Sequence, residues 1–171
     1  LSDHRIPVQY WLGQTHLKLQ NYDTALQHII DGILLCEEWD PERHLLAFQA
    51  LHAKILIAQE KIDEAQQILE SVQKEAASLP WPRRLETLVF VAQALQSINM
   101  FAKAKELARF VEKHAQLKNL WFLSVQAFHL LVTLDPADAQ SKTQLTMALV
   151  TQKKHIPPAY KASFVQLYEK K

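Results

Sequence analysis

Glycine is almost missing from this chain: Gly13 and Gly32 are the only two in 171 residues. That scarcity excludes a sandwich or barrel with many tight turns and a glycine-rich phosphate loop, since both need backbone conformations that other residues resist. Cysteine is scarcer still. Cys36 stands alone, so no disulfide framework can form within the chain, and a single thiol suits a reducing, cytoplasmic setting. A long hydrophobic run is also lacking, because the stretch LWFLSVQAFHLLVTL is about fifteen residues and is interrupted by Ser124, Gln126 and His129. The opening LSDHRIP has no apolar core behind a basic leader, so neither a signal peptide nor a membrane span is expected. It also has no initiating Met, as expected of a piece cut from a longer protein.

Catalytic and metal-binding patterns are absent in the same way. No GxSxG elbow, phosphate loop or HExxH occurs, and the adjacent carboxylates Glu37 and Glu38 would point to different sides of a helix rather than across a cleft. The eight histidines include no pair three or four apart. His44 and His52 would be separated by about 12 Å along a helix, too far to share a zinc ion directly. Cys36, Glu37, Glu38, Asp40 and His44 form the densest cluster of possible ligands, and a solvated loop with a helix cap accounts for them. The expectation is a non-enzymatic protein with no catalytic residue, cofactor or metal.

What the chain has in quantity is helical periodicity. Pro41, Pro80, Pro82, Pro136, Pro157 and Pro158 sit in or beside polar breaks, and the segments between them carry apolar residues at i, i+3, i+4 and i+7. Asp40 with Pro41, and Asp135 with Pro136 and Asp138, read as helix starts. The pattern predicts helices near 6–19, 22–38, 42–59, 62–78, 83–98, 101–116, 119–134, 137–152 and 158–169, an all-α chain. Trp11 and Trp121 read as core residues, Trp39 and Trp81 as loop residues able to anchor a partner.

The phrase NYDTALQHII from Asn21 returns as KIDEAQQILE from Lys61 and as MFAKAKELAR from Met100. Aligned on Ala25, Ala65 and Ala104, the copies are 40 and 39 residues apart. Each alanine follows a large apolar residue (Tyr22, Ile62, Phe101), and twelve residues before it stand Gly13, Ala53 and Ala92. Small residues at both places let two helices of a hairpin cross closely. Ala127 and Ala139 are the candidate small pair of a weaker fourth copy, with Pro136 where the bulky residue should be. Repeats are expected over 6–40, 42–79, 83–117 and 119–152. Each pair has an apolar face it cannot bury alone, and the helix at 158–169 would cover the last one.

WLGQTHLKLQNYDTALQHI resembles a tetratricopeptide repeat in Leu12, Gly13, Tyr22 and Ala25; the tyrosine usual after the Leu-Gly is here His16. The second and third copies keep the small and apolar positions and lose the Leu-Gly, and the period near 40 exceeds the family's usual 34. The chain is also similar to the superhelical repeats of maltose-regulator-type bacterial transcription activators and related signalling ATPases. The resemblance implies a single-domain α-solenoid of about four antiparallel helix pairs with a capping helix, a right-handed superhelix whose concave groove binds a protein or peptide. It places Tyr10, Gln14, Lys18, Lys54, Gln93, Ser97 and Phe128 in that groove. It implies no chaperone-type clamp for a C-terminal carboxylate, because the asparagine-lysine set is absent. The alternative it implies is an effector-sensing or oligomerisation domain of a multidomain regulator.

Charge adds one further expectation. Residues 1–80 carry 6 Lys/Arg against 12 Asp/Glu, and residues 81–171 carry 13 against 6. Such polarity suits a charged partner or weak head-to-tail self-association. Lys105, Arg109 and Lys113, with Lys103 and Lys118 nearby, form a basic stripe. Without interleaved aromatics it reads as a solvated helix face rather than a nucleic-acid interface.

Overall fold

The computed structural model describes residues 4–39 and 41–155, with side chains described at all of these except 41–43 and 155. The helix expected over 158–169 lies outside the described residues. Within them are eight α-helices and no strand: α1 (Arg5–Lys18), α2 (Tyr22–Trp39), α3 (Pro41–Ala58), α4 (Ile62–Glu75), α5 (Arg83–Ser97), α6 (Phe101–Leu117), α7 (Trp121–Leu134) and α8 (Ala139–His155). The helix expected to end at 78 closes instead at Glu75, and its last turn tightens into a 3₁₀ segment, Ala76–Ser78.

The turns repeat more faithfully than the side chains do. Gln20, Glu60 and Asn99 have φ near +60° (61°, 63° and 60°), and they fall at the same 40- and 39-residue spacing as the aligned alanines. In each, the next residue's amide donates five residues back: Asn21 to His16, Lys61 to Leu56 and Met100 to Leu95, all at 2.9 Å. That bond closes the Schellman motif and satisfies a carbonyl that the helix end would otherwise leave bare. The amides of Ala25, Ala65 and Ala104 then donate back to Asn21, Lys61 and Met100 and open the following helix. No side chain caps α4, because the turn's own backbone starts it.

A fourth turn uses the same frame in an unexpected place. Asn119 (φ 57°), the Leu120 amide on the Ala115 carbonyl at 2.8 Å and the Ser124 amide on Leu120 join α6 to α7. Ser124, fully buried, is therefore the counterpart of Ala25. Ala139, expected at a close crossing, is exposed in the first turn of α8, so that expectation is corrected. The α7–α8 connection is built differently. Asp138 alone caps α8, its carboxylate accepting from the Ser141 amide at 2.9 Å and hydroxyl at 2.8 Å, while Asp135 lies before the cap and accepts from Lys105.

Packing divides into two compact units, Leu1–Ala104 and Lys105–Lys171, with the boundary inside α6. In the first unit each helix packs on its chain neighbour from α1 to α5, and α3 also touches α1 and α5. One cluster joins Ile6, Ala25, Ile29, Cys36, Phe48, Leu51 and Ile55. A side chain on Gly13 would meet Ile29 and Leu51 at 3.4 Å. Gly32 is tighter: a Cβ there would overlap ring atoms of Phe48, so the ring lies directly against the α2 backbone. In the second unit α7 packs on α8, and Leu123, Val125, Ala127, Phe128, Leu130 and Leu131 bury it on most sides. Lys105 and Arg109 of α6 tie to Asp135 (2.8 Å) and Asp138 (3.1 Å).

Two substitutions test this packing by chemical denaturation. Ala65 has no exposed surface, so Ala65→Leu overpacks the α3–α4 crossing and is expected to cost about 1–3 kcal/mol. Gly32→Ala gains about 1 kcal/mol of helix propensity yet is expected to destabilise on balance, because Phe48 has no free space to move into. The double variant Gly32→Ala, Phe48→Leu should recover part of the loss relative to Phe48→Leu alone. Unchanged midpoints in both single variants would break the repeat register.

Candidate functional site

The turns fix where side chains emerge. Counting one residue past Gly13, Ala53 and Ala92 gives Gln14, Lys54 and Gln93, which are equivalent positions on α1, α3 and α5. Four residues further on are Lys18, Ala58 and Ser97. Since α3 touches both α1 and α5, these polar positions of the first unit recur on three neighbouring helices.

The row is partly wired together. Lys54 Nζ donates to Gln93 Oε1 at 3.4 Å and sits 5.3 Å from the centroid of the Phe90 ring. Burial pushes the Lys54 ammonium below its ordinary pKa, since desolvation disfavours the charged form. Gln14 Nε2 donates to the Tyr10 hydroxyl at 2.9 Å, and the Ser97 hydroxyl donates to the Gln93 carbonyl at 3.1 Å. Tyr10 is less available than its spacing implies. Its ring stands edge-on to Phe48 at 5.5 Å and to Trp11 at 6.0 Å, and burial raises its phenol pKa against the opposing bond from Gln14. Lys18 and Ser97 are exposed; Gln14, Lys54 and Gln93 are half-buried.

Phe128 belongs to the second unit and is 3% exposed. There it lines a cavity of about 160 Å³ with Arg109, Gln116 and Ser141, beside Glu112, whose carboxyl is raised by burial against the opposing charge of Arg109. The basic stripe is not a free cationic face, because Lys105 and Arg109 are held by aspartates of the same unit.

Two tryptophan expectations are corrected. Trp11 is 65% exposed and Trp121 is 36% exposed, so neither is a core residue. By register Trp11 is equivalent to Leu51, which is buried, and to Phe90, which is half-buried, so its exposure departs from its counterparts. Another feature had no sequence signal. A cavity of about 320 Å³ is lined by Leu45, Leu46, Leu79, Pro80, Glu75, Ser78 and Arg83, where the start of α3, the 3₁₀ turn and the start of α5 meet. A smaller one of about 90 Å³ shares Leu46, Leu79 and Arg83 and reaches Phe90.

Among the described residues no group of three or more His, Cys, Asp or Glu side chains could hold a metal ion, and no helix is long and apolar enough to cross a membrane. No family model matches the chain, and no curated protein or solved structure matches it.

Lys54 provides a pH test of the site. Its folded pKa is lowered from the unfolded value of about 10.4, so between the two the unfolded chain binds more protons and stability rises with pH. The cost of burying the ammonium is fully present below the lowered pKa and fades as pH rises toward the unfolded value. Lys54→Met is expected to be at least as stable as the wild type at pH 7 and to lose the alkaline rise, read from denaturation midpoints across pH 7–11.

Proposed function

We propose that this chain is a non-enzymatic scaffold for a protein or peptide, a tetratricopeptide-like solenoid that takes an extended segment in the groove formed by the first helix of each pair. The observation carrying this reading is the turn frame at Gln20, Glu60 and Asn99, whose constant spacing delivers Gln14, Lys54 and Gln93 to equivalent places on three neighbouring helices. Half-buried amides beside a cation suit an extended backbone, which offers a donor and an acceptor at every residue. The exposed Trp11 supplies an aromatic anchor at one end of the row.

A separate observation favours the effector-sensing alternative. The 320 Å³ cavity has an apolar floor of Leu45, Leu46, Leu79 and Pro80 with Arg83 and Glu75 among its lining, a mixture that suits a small amphipathic molecule. Such a ligand would act on the same unit without occupying the polar row.

The two readings separate in one design. Random peptides are selected by display on the wild-type protein, and the binders are measured by fluorescence anisotropy against Gln14→Ala, Gln93→Ala and a cavity-filling Leu46→Phe variant. Peptide affinity is expected to fall about tenfold in the double Gln14→Ala, Gln93→Ala protein, as losing two hydrogen bonds implies. Leu46→Phe should leave it unchanged. Failure to select any peptide, or binding indifferent to both glutamines, removes the groove from consideration.

A further inference from the structure

The 320 Å³ cavity carries two opposite charges that do not meet. Arg83 and Glu75 both line it, yet among the described residues no ion pair joins them, and the half-buried guanidinium of Arg83 has no hydrogen-bond or ion-pair partner. Glu75 commits one carboxylate oxygen to its own helix, where the Ser71 hydroxyl donates to it at 2.8 Å, and the Ser78 hydroxyl donates to the Glu75 carbonyl at 2.7 Å. Arg83 differs from its neighbour in this respect. Arg84 donates to the Ala77 carbonyl at 3.4 Å and lies 5.2 Å from the centroid of the Trp81 ring, so the structural contacts at this end of α5 fall to Arg84. A cation in the first turn of α5 also opposes the helix dipole, and helix stability does not account for Arg83.

Apart from Ser78, the rest of the lining is aliphatic. Leu45 and Leu46 come from the start of α3, Leu79 and Pro80 from the stretch after the 3₁₀ turn, and the adjoining cavity of about 90 Å³ continues past Arg83 to Phe90. A volume of about 320 Å³ is at the small end of ligand sites, which run from roughly 300 to 1,000 Å³, and suits a metabolite. We propose that the cavity binds an apolar α-amino acid as its zwitterion, with the carboxylate on Arg83, the ammonium on Glu75 and the side chain against Leu45, Leu46 and Leu79. This rests on the effector reading of the cavity and gives that reading a ligand class. A planar guanidinium matches a carboxylate through two parallel hydrogen bonds, and a carboxylate accepts from an ammonium. Neither a simple anion nor a simple cation fits as well. An amphiphilic anion would meet Glu75, with Glu86 adding a second like charge in the adjoining cavity, which His44 also lines, and an amphiphilic amine would meet Arg83.

Isothermal titration of the wild type with free leucine, and with isocaproate and isoamylamine as leucine analogues that lack the ammonium or the carboxylate, decides this. Leucine is expected to bind, and each analogue to bind at least about tenfold more weakly, the scale of one charge-assisted hydrogen bond. Arg83→Gln and Glu75→Gln, checked for an unchanged melt by circular dichroism, should each weaken leucine by a similar factor, and Leu46→Phe should abolish binding. The analogue comparison uses the wild type alone, so it stands whatever the variants do to stability. Leucine that fails to bind, analogues that bind as tightly as leucine, or affinity indifferent to both charge variants overturns the proposal. Binding of an analogue without leucine, abolished by Leu46→Phe, overturns the zwitterion and keeps the cavity as an effector site; no binding of any of the three removes the effector reading as well.

Discussion

A left-handed residue at the end of one helix, followed five residues later by a small buried one, is the constraint on which the first unit depends. The left-handed conformation costs a non-glycine residue about 1–2 kcal/mol, yet Gln20 and Glu60 adopt it beside the better-suited Asn99 and Asn119. What the turn gains is backbone satisfaction at both helix ends with no capping side chain, and a reversal tight enough to bring Gly13 against Ala25. The small pair fixes the separation of the two helices. Phe48 can then lie directly against Gly32 and join α3 to α2.

The placement of the polar row follows from this geometry. A side chain one residue past the crossing position emerges beside the close contact rather than in it, so it is half-buried and free to be polar. Gln14, Lys54 and Gln93 share that circumstance, and the Lys54–Gln93 bond shows that adjacent members are within reach of one another. A half-buried ammonium with no acid beside it is an unfavourable choice for stability alone. In the middle of the row one long hydrogen bond to Gln93 and the face of Phe90 are what it meets.

The second unit departs from the scheme for a local reason. The same turn frame appears at Asn119, about twenty residues after Asn99 rather than forty, so α6 enters and leaves through the same kind of turn. Pro136 then cannot occupy the place of Tyr22, Ile62 or Phe101, and the α7–α8 link relies on Asp138 as a side-chain cap and on Lys105 and Arg109 reaching across from α6. Hydrogen bonds from Ser141 hold the Asp138 carboxyl below the usual aspartate range, as does Lys105 for Asp135. Those contributions are present above that range and are lost as pH falls through the lowered values.

Helix positions and the spacing of Ala25, Ala65 and Ala104 were legible in the sequence, because periodicity and small-residue crossings are local demands that any helical hairpin must meet. From that register the residues of the polar row could be named. The exposure of Trp11 was not legible, since its counterparts by register, Leu51 and Phe90, are buried and half-buried. The half-buried state of Tyr10, the burial of Phe128, the turn at Asn119, the cap at Asp138 and the cavity under Leu46 and Leu79 depend on which elements meet in space. Residues far apart in the chain decide them by packing, and pattern along one helix carries no record of the helix that will cover it.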